Sequence, residues 1–446
     1  EKIVEDAGCN LIICLDMVSG ELSDLKNQSS IRDVILVSLA SRRSLVKSIF
    51  YRLKLWTTLD ALEEDYLDHV LDFDHLLEQY FDQEYEAADV AADDLAVLQY
   101  TGGTTGLPKG AMLSHSNIVS NAYMLKYWAG AEETTEKVLA VLPLFHSYGM
   151  TVNMNYAMLN GGQLILLPRF TPKGVLDAFE KFKPNFFPGI PSIYHALGRH
   201  MKQKGIKTTG LRDCISGAAP LPLEVKHSFE EQTGATVVEG FGLSEASPVT
   251  HCNPLRGGEV REGSIGVPLP GTEAKICDME THEELALGET GELVIKGPQI
   301  MQGYWQRGEE TRKSLADGWL YTGDLAEMDE DGYFYIVGRK KNMIITSGLN
   351  VYPVAIEDHL LSKKGVLDCA VMGIADEEKG EIVKAYIVLE KGKKLSPEDL
   401  NKHCREHLAG YKCPVNYEFL DEIPRSFIGK TLYRELAKME AERVEA

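Results

Sequence analysis

One loop of the chain, residues 100 to 110, combines the residue types that hold polyphosphate. It reads Tyr-Thr-Gly-Gly-Thr-Thr-Gly-Leu-Pro-Lys-Gly. Glycine lets backbone N–H groups close around anionic oxygens, while threonine hydroxyls and a lysine add donors and charge. The loop is not a Walker A motif, because no glycine in it is followed five residues later by Gly-Lys-Ser or Gly-Lys-Thr. We therefore predict a phosphate-binding loop of another class, with a surface turn as the alternative if the loop is read alone. Its predicted phosphate-binding residues are Thr101, Gly102, Gly103, Thr104, Thr105, Gly106 and Lys109.

Four further motifs follow this loop along the chain. They are Gly-Phe-Gly-Leu-Ser-Glu at 240–245, Tyr-Thr-Gly-Asp at 321–324, Gly-Arg-Lys-Lys at 338–341 and Pro-Arg-Ser-Phe-Ile-Gly-Lys at 424–430. In order and spacing the set resembles the adenylate-forming superfamily, and within it the long-chain fatty acyl-CoA ligases most closely. The resemblance implies a two-step ligation. A carboxylate and ATP give acyl-AMP and pyrophosphate, and the thiol of CoA then displaces AMP.

The resemblance also implies which residues bind the nucleotide. Glu245 matches the glutamate that binds Mg²⁺, a hard oxygen donor for a hard ion, and Thr101 matches a second ligand; read alone, Glu245 is a helix N-terminal charge. Phe241 matches an aromatic ring that stacks on adenine. Asp324 matches the carboxylate that accepts hydrogen bonds from both ribose hydroxyls, and Arg339 matches an arginine that also contacts the ribose. The other residues predicted to bind the nucleotide are Gly217, Ala218, Glu239, Gly240, Gly242 and Ser244.

Four residues are implied in catalysis and in domain movement. Lys430 matches the lysine that bridges the carboxylate and the α-phosphate, where a cation stabilises developing charge; read alone it is a solvated surface charge. Lys341 matches the hinge residue, and Gly348 matches a glycine that passes beside pantetheine after rotation. His146 matches a histidine at the junction of the acyl pocket and the pantetheine tunnel, with a satisfied core imidazole as the alternative.

Composition limits the partners. The 446 residues carry 46 basic and 67 acidic side chains, a net charge of −21, which argues against nucleic acid. Eight scattered cysteines indicate free thiols in a reducing compartment, and no apolar run is long enough to span a membrane. We predict a cytoplasmic protein. The basic amphipathic stretch from Arg42 to Trp56 suggests peripheral contact with the inner face of a membrane, with helix packing as the alternative. The oligomeric state is not predicted.

The pattern of elements predicts an α/β protein. Short apolar runs alternate with helical segments from Val138 to Pro270, which indicates parallel sheets covered by helices. Segments 292–296 and 332–337 indicate a β-rich subdomain. After Arg339, strands at 367–374 and 381–389 with helices near 354–361 and 397–407 indicate a small α+β lid. The predicted organisation is a large AMP-binding domain over 1–339, a hinge at 340–341 and a C-terminal lid over 342–446, with the first layer of the large domain apparently missing.

Alternative functions stay open from the sequence alone. The same adenylation chemistry could serve an aryl acid or another carboxylate, or could load a carrier-protein thiol. An alternative from another functional class is a fragment that binds a nucleotide but catalyses no reaction. No cluster of His and Asp offers an acyl-enzyme nucleophile, so direct attack by the substrate is the predicted mechanism.

Overall fold

The structure is a computed structural model that describes residues 2–16, 31–39, 70–101, 108–376, 378–426 and 429–444. The chain divides into two compact units. The first unit comprises Glu1–Asp94 and Tyr100–Gly110, and the second comprises Leu95–Gln99 and Ala111–Ala446. The stretch from Arg42 to Trp56, predicted to contact a membrane, lies outside the described residues. Within the described ranges, no helix is both long enough and apolar enough to cross a membrane.

The first unit contains a parallel sheet in the order β1-β2-β3, with Leu11 opposite Asp33. Its helix α1 runs into β1 through Gly8, whose φ of +65° ends the helix. Asp72 caps α2 by accepting a hydrogen bond from the backbone N–H of His75 at 2.8 Å. The elements of this unit are α1 (Lys2–Ala7), β1 (Leu11–Leu15), β2 (Asp33–Val37), β3 (Val70–Asp72) and α2 (Phe73–Tyr80).

A short sheet and a capped helix come next along the chain. Strands β4 (Leu95–Thr101) and β5 (Lys109–Ser114) form a sheet in the order β14-β5-β4, where β14 is Gly303–Tyr304. Ser114 ends β5 and caps α3 (His115–Ala129), because its hydroxyl accepts from the backbone N–H of Asn117 and its own N–H donates to the Asn117 amide oxygen.

A parallel sheet covered by helices follows, as predicted. Phe186 bridges in parallel to both Val138 and Asp213, so it joins the β6-β7 pair to the β8-β9 pair. Strand β10 then pairs antiparallel with β9, and β11 pairs antiparallel with β10. The elements are β6 (Lys137–Ala140), a π-helix (Gly149–Asn155), α4 (Tyr156–Leu159), β7 (Gln163–Leu166), α5 (Pro172–Phe182), α6 (Pro191–Lys204), β8 (Asp213–Ser216), α7 (Leu223–Thr233), β9 (Thr236–Gly242), β10 (Val249–Cys252) and β11 (Val267–Pro268).

Aromatic packing holds the helices on this sheet. Tyr194 of α6 makes edge-on contacts with Phe187, at 5.6 Å between ring centroids, and with Phe229 of α7, at 5.1 Å. All three rings are fully buried, and edge-to-face pairs contribute beyond the area they bury. This packing fixes the backbone from Phe187 to Pro191, which lines the site described below.

The β-rich subdomain is also present where it was predicted. Its sheet has the order β12-β13-β16-β15, and β17 pairs with β16. The elements are β12 (Glu273–Cys277), β13 (Gly291–Lys296), α8 (Gly308–Ser314), β15 (Leu315–Ala316), β16 (Trp319–Met328) and β17 (Phe334–Arg339). A short 3₁₀ turn, Lys340–Asn342, follows β17; a hinge at this turn stays a prediction.

A small α+β region completes the chain. Its sheet has the order β19-β18-β21-β20, and β22 lies parallel to β21. Strands β20 and β21 and helices α9 and α10 confirm the predicted elements. The elements are β18 (Ile344–Thr346), β19 (Leu349–Val351), α9 (Pro353–Leu361), β20 (Val366–Asp376), β21 (Gly380–Leu389), α10 (Pro397–His407), β22 (Asn416–Phe419) and α11 (Tyr433–Val444).

A half-buried carboxylate connects α9, β20 and α11. Oε1 of Glu357 accepts hydrogen bonds from the backbone N–H of Val371 at 2.8 Å and from the hydroxyl of Tyr433 at 2.9 Å. Desolvation outweighs these bonds and raises the pKa of Glu357 from 4.5 to about 7. The Glu357 carboxyl therefore binds a proton more tightly in the folded protein than in the unfolded chain.

Glu357→Gln should change how the stability of the fold depends on pH, because glutamine cannot bind or release this proton. A raised carboxyl pKa stabilises the fold fully below about pH 4.5, and that contribution is lost as the pH rises toward about 7. Glutamine keeps an oxygen that accepts both hydrogen bonds. We expect the melting temperature of the variant, measured relative to wild type, to rise as the pH increases from about 4.5 to 7. A difference that stays constant with pH would contradict this assignment.

Candidate active site

Two strands of the β-rich sheet bring a carboxylate and a guanidinium together. Asp324 on β16 lies opposite Arg339 on β17 in the antiparallel register. Arg339 Nε donates to Asp324 Oδ1 at 2.5 Å, and Nη2 donates to Oδ2 at 3.1 Å. Asp324 is only 4% exposed, and its charge raises the pKa of Arg339. The bidentate geometry holds both side chains in one orientation.

A second carboxylate, Glu245, lies in the 3₁₀ turn that follows β9. Its Oε1 accepts a hydrogen bond from the Tyr304 hydroxyl at 2.8 Å, and its backbone carbonyl accepts from Met301 at 2.8 Å. Burial, with the adjacent Glu245 charge as a second cause, raises the pKa of Tyr304, so the phenol stays a donor. The sequence reasoning missed Tyr304, because it is 59 residues from its partner and no local motif connects the two.

Two lysines face the same charges. Desolvation and the nearby Arg339 lower the pKa of Lys341, while the Asp324 and Glu245 charges act in the opposite direction. Desolvation and Arg339 likewise lower the pKa of Lys430, again opposed by these carboxylates. The Lys430 side chain is exposed, and no hydrogen bond joins it to another described residue. Three cations and two carboxylates, from motifs far apart in the sequence, are thus collected in one place.

The segment that carries Lys430 contacts the large sheet. Gly429 has a φ of +79°, and a Cβ added there would lie 3.6 Å from Ile190 Cδ1 and 3.7 Å from Ser192 Oγ. These residues lie at the N-terminal end of α6, which begins at Pro191. The C-terminal region therefore places Lys430 beside the end of the parallel sheet.

A small apolar cavity lies next to this cluster. Leu142, Pro143, His146, Tyr148, Gly149, Ile190 and Ala218 line it. Its free volume is about 10 Å³, about the space that one water molecule occupies. Burial and the nearby Lys430 charge lower the pKa of His146, so its imidazole is neutral at neutral pH.

Contacts with the neighbouring backbone account for the residue types at two positions of the cavity wall, Gly149 and Tyr148. A Cβ on Gly149 would lie 2.1 Å from the carbonyl oxygen of Pro143, a distance that only glycine avoids. The Tyr148 hydroxyl donates to the carbonyl oxygens of Ile215 at 2.7 Å and Gly189 at 3.2 Å. Tyr148 thereby connects the cavity to two neighbouring segments of the parallel sheet.

The residues predicted around adenine lie at the ends of β8 and β9. A Cβ on Gly217 would lie 3.3 Å from the Tyr148 ring, and one on Gly242 would lie 2.2 Å from the Pro248 carbonyl oxygen. Ala218 has a φ of +71°. Gly240 also belongs to this set, and the Ser244 hydroxyl lies 3.4 Å from that of Ser147.

Two titratable side chains lie next to Phe241, which is on β9. The ring of His251 packs between Phe241 and Phe334, with centroid distances of 6.3 and 4.7 Å, and burial lowers its pKa to about 3. Burial raises the pKa of Glu239 to about 8, although a backbone N–H from Leu221 at 3.4 Å opposes this. At neutral pH, His251 is therefore neutral and Glu239 is largely protonated.

The predicted phosphate loop, residues 100–110, belongs to the first unit. Residues 102–107 lie outside the described part of the chain. The Thr101 hydroxyl donates to the Lys109 carbonyl oxygen at 3.5 Å, and a Cβ on Gly110 would lie 3.1 Å from the Tyr100 ring. Roles for Thr101, Lys109 and the glycines between them stay predictions.

Comparison with known proteins identifies the family. The AMP-binding enzyme family profile matches residues 1–305, and the profile of the AMP-binding enzyme C-terminal domain matches residues 355–430. The chain is 42% identical, over 99% of its length, to a long-chain-fatty-acid–CoA ligase of Bacillus subtilis, 79% of which is covered. It is 36% identical, over 80% of its length, to a feruloyl-CoA synthase of Amycolatopsis sp, 73% of which is covered.

A solved structure agrees with this assignment. The crystal structure of ATP-bound MatB from Rhodopseudomonas palustris superposes with a TM-score of 0.78 at 30% identity, covering 97% of this chain and 88% of MatB. The chain therefore belongs to the AMP-binding enzyme family and is an adenylate-forming acyl-CoA ligase. The comparison also confirms the predicted α/β class, with a large N-terminal domain followed by a small C-terminal one.

Arg339→Met should expose the dependence of Asp324 on its partner. Removing the guanidinium leaves a carboxylate that is 4% exposed without its bidentate partner, which costs about 3 kcal/mol or more of unfolding free energy. The double variant Asp324→Asn/Arg339→Met removes both charges and should recover part of that loss.

Urea unfolding measures the unfolding free energy of both variants. The control Lys438→Met removes a cation from a pair whose side chains are 69% and 66% exposed, and it should cost less than about 1 kcal/mol. If Arg339→Met lost no more unfolding free energy than the control, Asp324 would not depend on Arg339.

Proposed function

We propose that this protein is a long-chain fatty acid–CoA ligase that forms AMP. A fatty-acid carboxylate attacks the α-phosphorus of ATP, pyrophosphate leaves, and the thiol of CoA then displaces AMP from the acyl adenylate. The observation that carries the proposal is the convergence of Lys430, Arg339 and Lys341 on Asp324 and Glu245, beside an apolar cavity. The activity named for the Bacillus subtilis relative supports the choice of acid.

The nucleoside would bind at the ends of β8, β9 and β16. Phe241 would stack on adenine, with Gly217 and Ala218 lining its other side. Asp324 would accept hydrogen bonds from the ribose hydroxyls. A carboxylate has about four lone-pair directions, and Arg339 uses two of them in this structure. Asp324 can therefore accept from a vicinal diol without releasing Arg339.

Magnesium is the metal that this chemistry implies, and the donor set is compatible with it. The described residues contain no cluster of three or more His, Cys, Asp or Glu side chains that could hold a metal. A single carboxylate suits Mg²⁺, which commonly takes one or two carboxylates together with substrate phosphates. Glu245 would hold the ion, and the role of Thr101 as a second ligand stays a prediction. When bound, the ion neutralises phosphate charge.

Lys430 would act in the adenylation step. Before substrates bind, its ammonium faces the like charge of Arg339. The carboxylate and the α-phosphate bring negative charge between these cations, so repulsion changes to attraction where charge develops in the transition state. The phosphate loop, Thr101 to Lys109, would hold the departing pyrophosphate.

Thioester formation would use another face of the C-terminal region. Gly348 lies in a two-residue turn in which Ser347 and Gly348 have φ values of +50° and +78°, and a Cβ at Gly348 would meet no atom within 4 Å. The neighbouring Ile345 and Leu349 are 48% and 47% exposed. We propose that rotation about Lys340–Lys341 brings this turn to the pantetheine of CoA, which would pass near the neutral His146.

A series of acids tests the substrate assignment. Purified protein, ATP, Mg²⁺ and CoA should release AMP with kcat/KM increasing from short to long saturated fatty acids and lower for ferulate. Preference for ferulate would favour an aryl-CoA ligase, which the Amycolatopsis relative and the small cavity suggest. ATP–pyrophosphate exchange without thioester formation on CoA would indicate a carrier-protein acceptor. Absence of exchange with every acid would favour a non-catalytic nucleotide-binding protein.

Lys430→Ala should separate the two half-reactions. Loss of a contact that strengthens in the transition state typically costs on the order of a hundredfold in rate, so ATP–pyrophosphate exchange should fall by at least about that factor. Thioester formation from supplied acyl-AMP should stay close to wild type, since AMP displacement does not use this contact. The exposed Lys438→Ala serves as the matched control. Equal losses in both half-reactions would rule out this role.

A further inference from the structure

Arg425 lies five residues before Lys430 in the same loop and contacts both the loop and the adjacent sheet. Its Nη1 donates to the Gly429 carbonyl oxygen at 2.8 Å and to the Thr431 hydroxyl at 3.2 Å. Its Nε and Nη2 donate to the two carboxylate oxygens of Asp368 on β20, at 3.0 and 2.6 Å. One guanidinium therefore connects both neighbours of Lys430 to the sheet of the C-terminal region.

Hydrogen bonds between described residues also hold the backbone of Lys430. The backbone N–H of Ser426 donates to the Lys430 carbonyl oxygen at 2.8 Å, and the Lys430 N–H donates to the Ser426 hydroxyl at 3.1 Å. One step further out, the N–H of Leu432 donates to the Pro424 carbonyl oxygen at 2.8 Å. The backbone of Lys430 is thus held within the loop, and Arg425 determines how the loop is oriented.

Asp368 is a fixed anchor for this guanidinium. Its Oδ1 also accepts from the backbone N–H of Cys369 at 2.9 Å, and it lies beside the irregular register of β20 between Val366 and Asp368. Two parallel N–H···O bonds from one planar group restrict orientation as well as distance. A lysine at position 425 would keep the charge but could not form this fork.

Lys430 needs such support because its ammonium faces other cations. Arg339 disfavours the charged form of Lys430 before any substrate is present. A loosely held loop would let the ammonium move away from Asp324 and Glu245, and the adenylation step would then have to restore its position. Displacement of a catalytic group by about 1 Å can cost on the order of a hundredfold in rate.

We infer that Arg425, anchored by Asp368, is a positioning residue that holds Lys430 for adenylation and has no part in thioester formation. This inference rests on the proposed role of Lys430. It concerns a residue that acts through Lys430 rather than one that touches the substrate.

The experiment compares Arg425→Gln, Arg425→Lys and Asp368→Asn in both half-reactions. For each variant we expect kcat of ATP–pyrophosphate exchange to fall on the order of ten- to a hundredfold, with KM for ATP nearly unchanged. Thioester formation from supplied acyl-AMP should stay within about twofold of wild type under the same reasoning. The control is Arg405→Gln on α10, whose Nε donates to the side-chain oxygen of Asn401 at 2.7 Å, and it should leave both half-reactions unchanged.

Variants in the Lys430→Ala background give the sharper test. If Arg425 acts through Lys430, Arg425→Gln should lower exchange no further once Lys430 is absent. A full additional loss there, rescue by Arg425→Lys, or equal losses in both half-reactions with a lowered melting temperature would overturn the inference. Unchanged exchange in Lys430→Ala itself would overturn the proposed adenylation role together with this inference. Loss in Lys430→Ala with wild-type exchange in Arg425→Gln would overturn the positioning role alone.

Discussion

Burial of the Asp324 carboxylate beneath the Arg339 guanidinium determines the electrostatics of the site. Withdrawing a carboxylate from water costs several kcal/mol, which only a well-formed partner offsets. The antiparallel register of β16 and β17 supplies that partner directly across the sheet. With the pair fixed, the next cations, Lys341 and Lys430, lie in a field where attraction by two carboxylates opposes repulsion by one guanidinium. Desolvation adds to that repulsion and lowers the pKa of both lysines before a polyanionic substrate arrives.

The residues of this cluster depend on separate hydrophobic cores. The β-rich sheet that carries Asp324 and Arg339 has its own core, which includes Leu293 and Phe334. The loop with Lys430 lies between Ile423 and Leu436, which pack in a different core of the C-terminal region. A change in the contact between these cores would move one cation without disturbing the ion pair. Such an arrangement suits a site in which one group acts in only one of two steps.

Local patterns predicted the elements well. Alternation of apolar runs and helical segments indicated the parallel sheet, and β20, β21, α9 and α10 lie where their sequence patterns placed them. Motif order indicated the family, which the comparisons confirm. Three supporting residues, Tyr304, His251 and Arg425, were not predicted, because each acts through a tertiary contact with no fixed spacing in sequence. The hinge and the individual roles of the site residues stay predictions, and the glycines of the phosphate loop lie outside the described residues.

The small cavity beside His146 has a consequence for how a substrate chain would be selected. If an acyl chain enters beside His146 and displaces the Tyr148 ring, the Tyr148 hydroxyl gives up its hydrogen bonds to the carbonyl oxygens of Gly189 and Ile215, which keep backbone N–H donors. A buried hydroxyl left without a partner costs about 1–3 kcal/mol, whereas each buried methylene contributes about 0.8 kcal/mol. Burying the chain of a short acid would then release too little free energy to displace the Tyr148 ring. A longer chain would offset this cost once several methylenes are buried. Selectivity would follow a threshold in chain length, set by the stiffness of the closed wall rather than by the depth of a preformed tunnel.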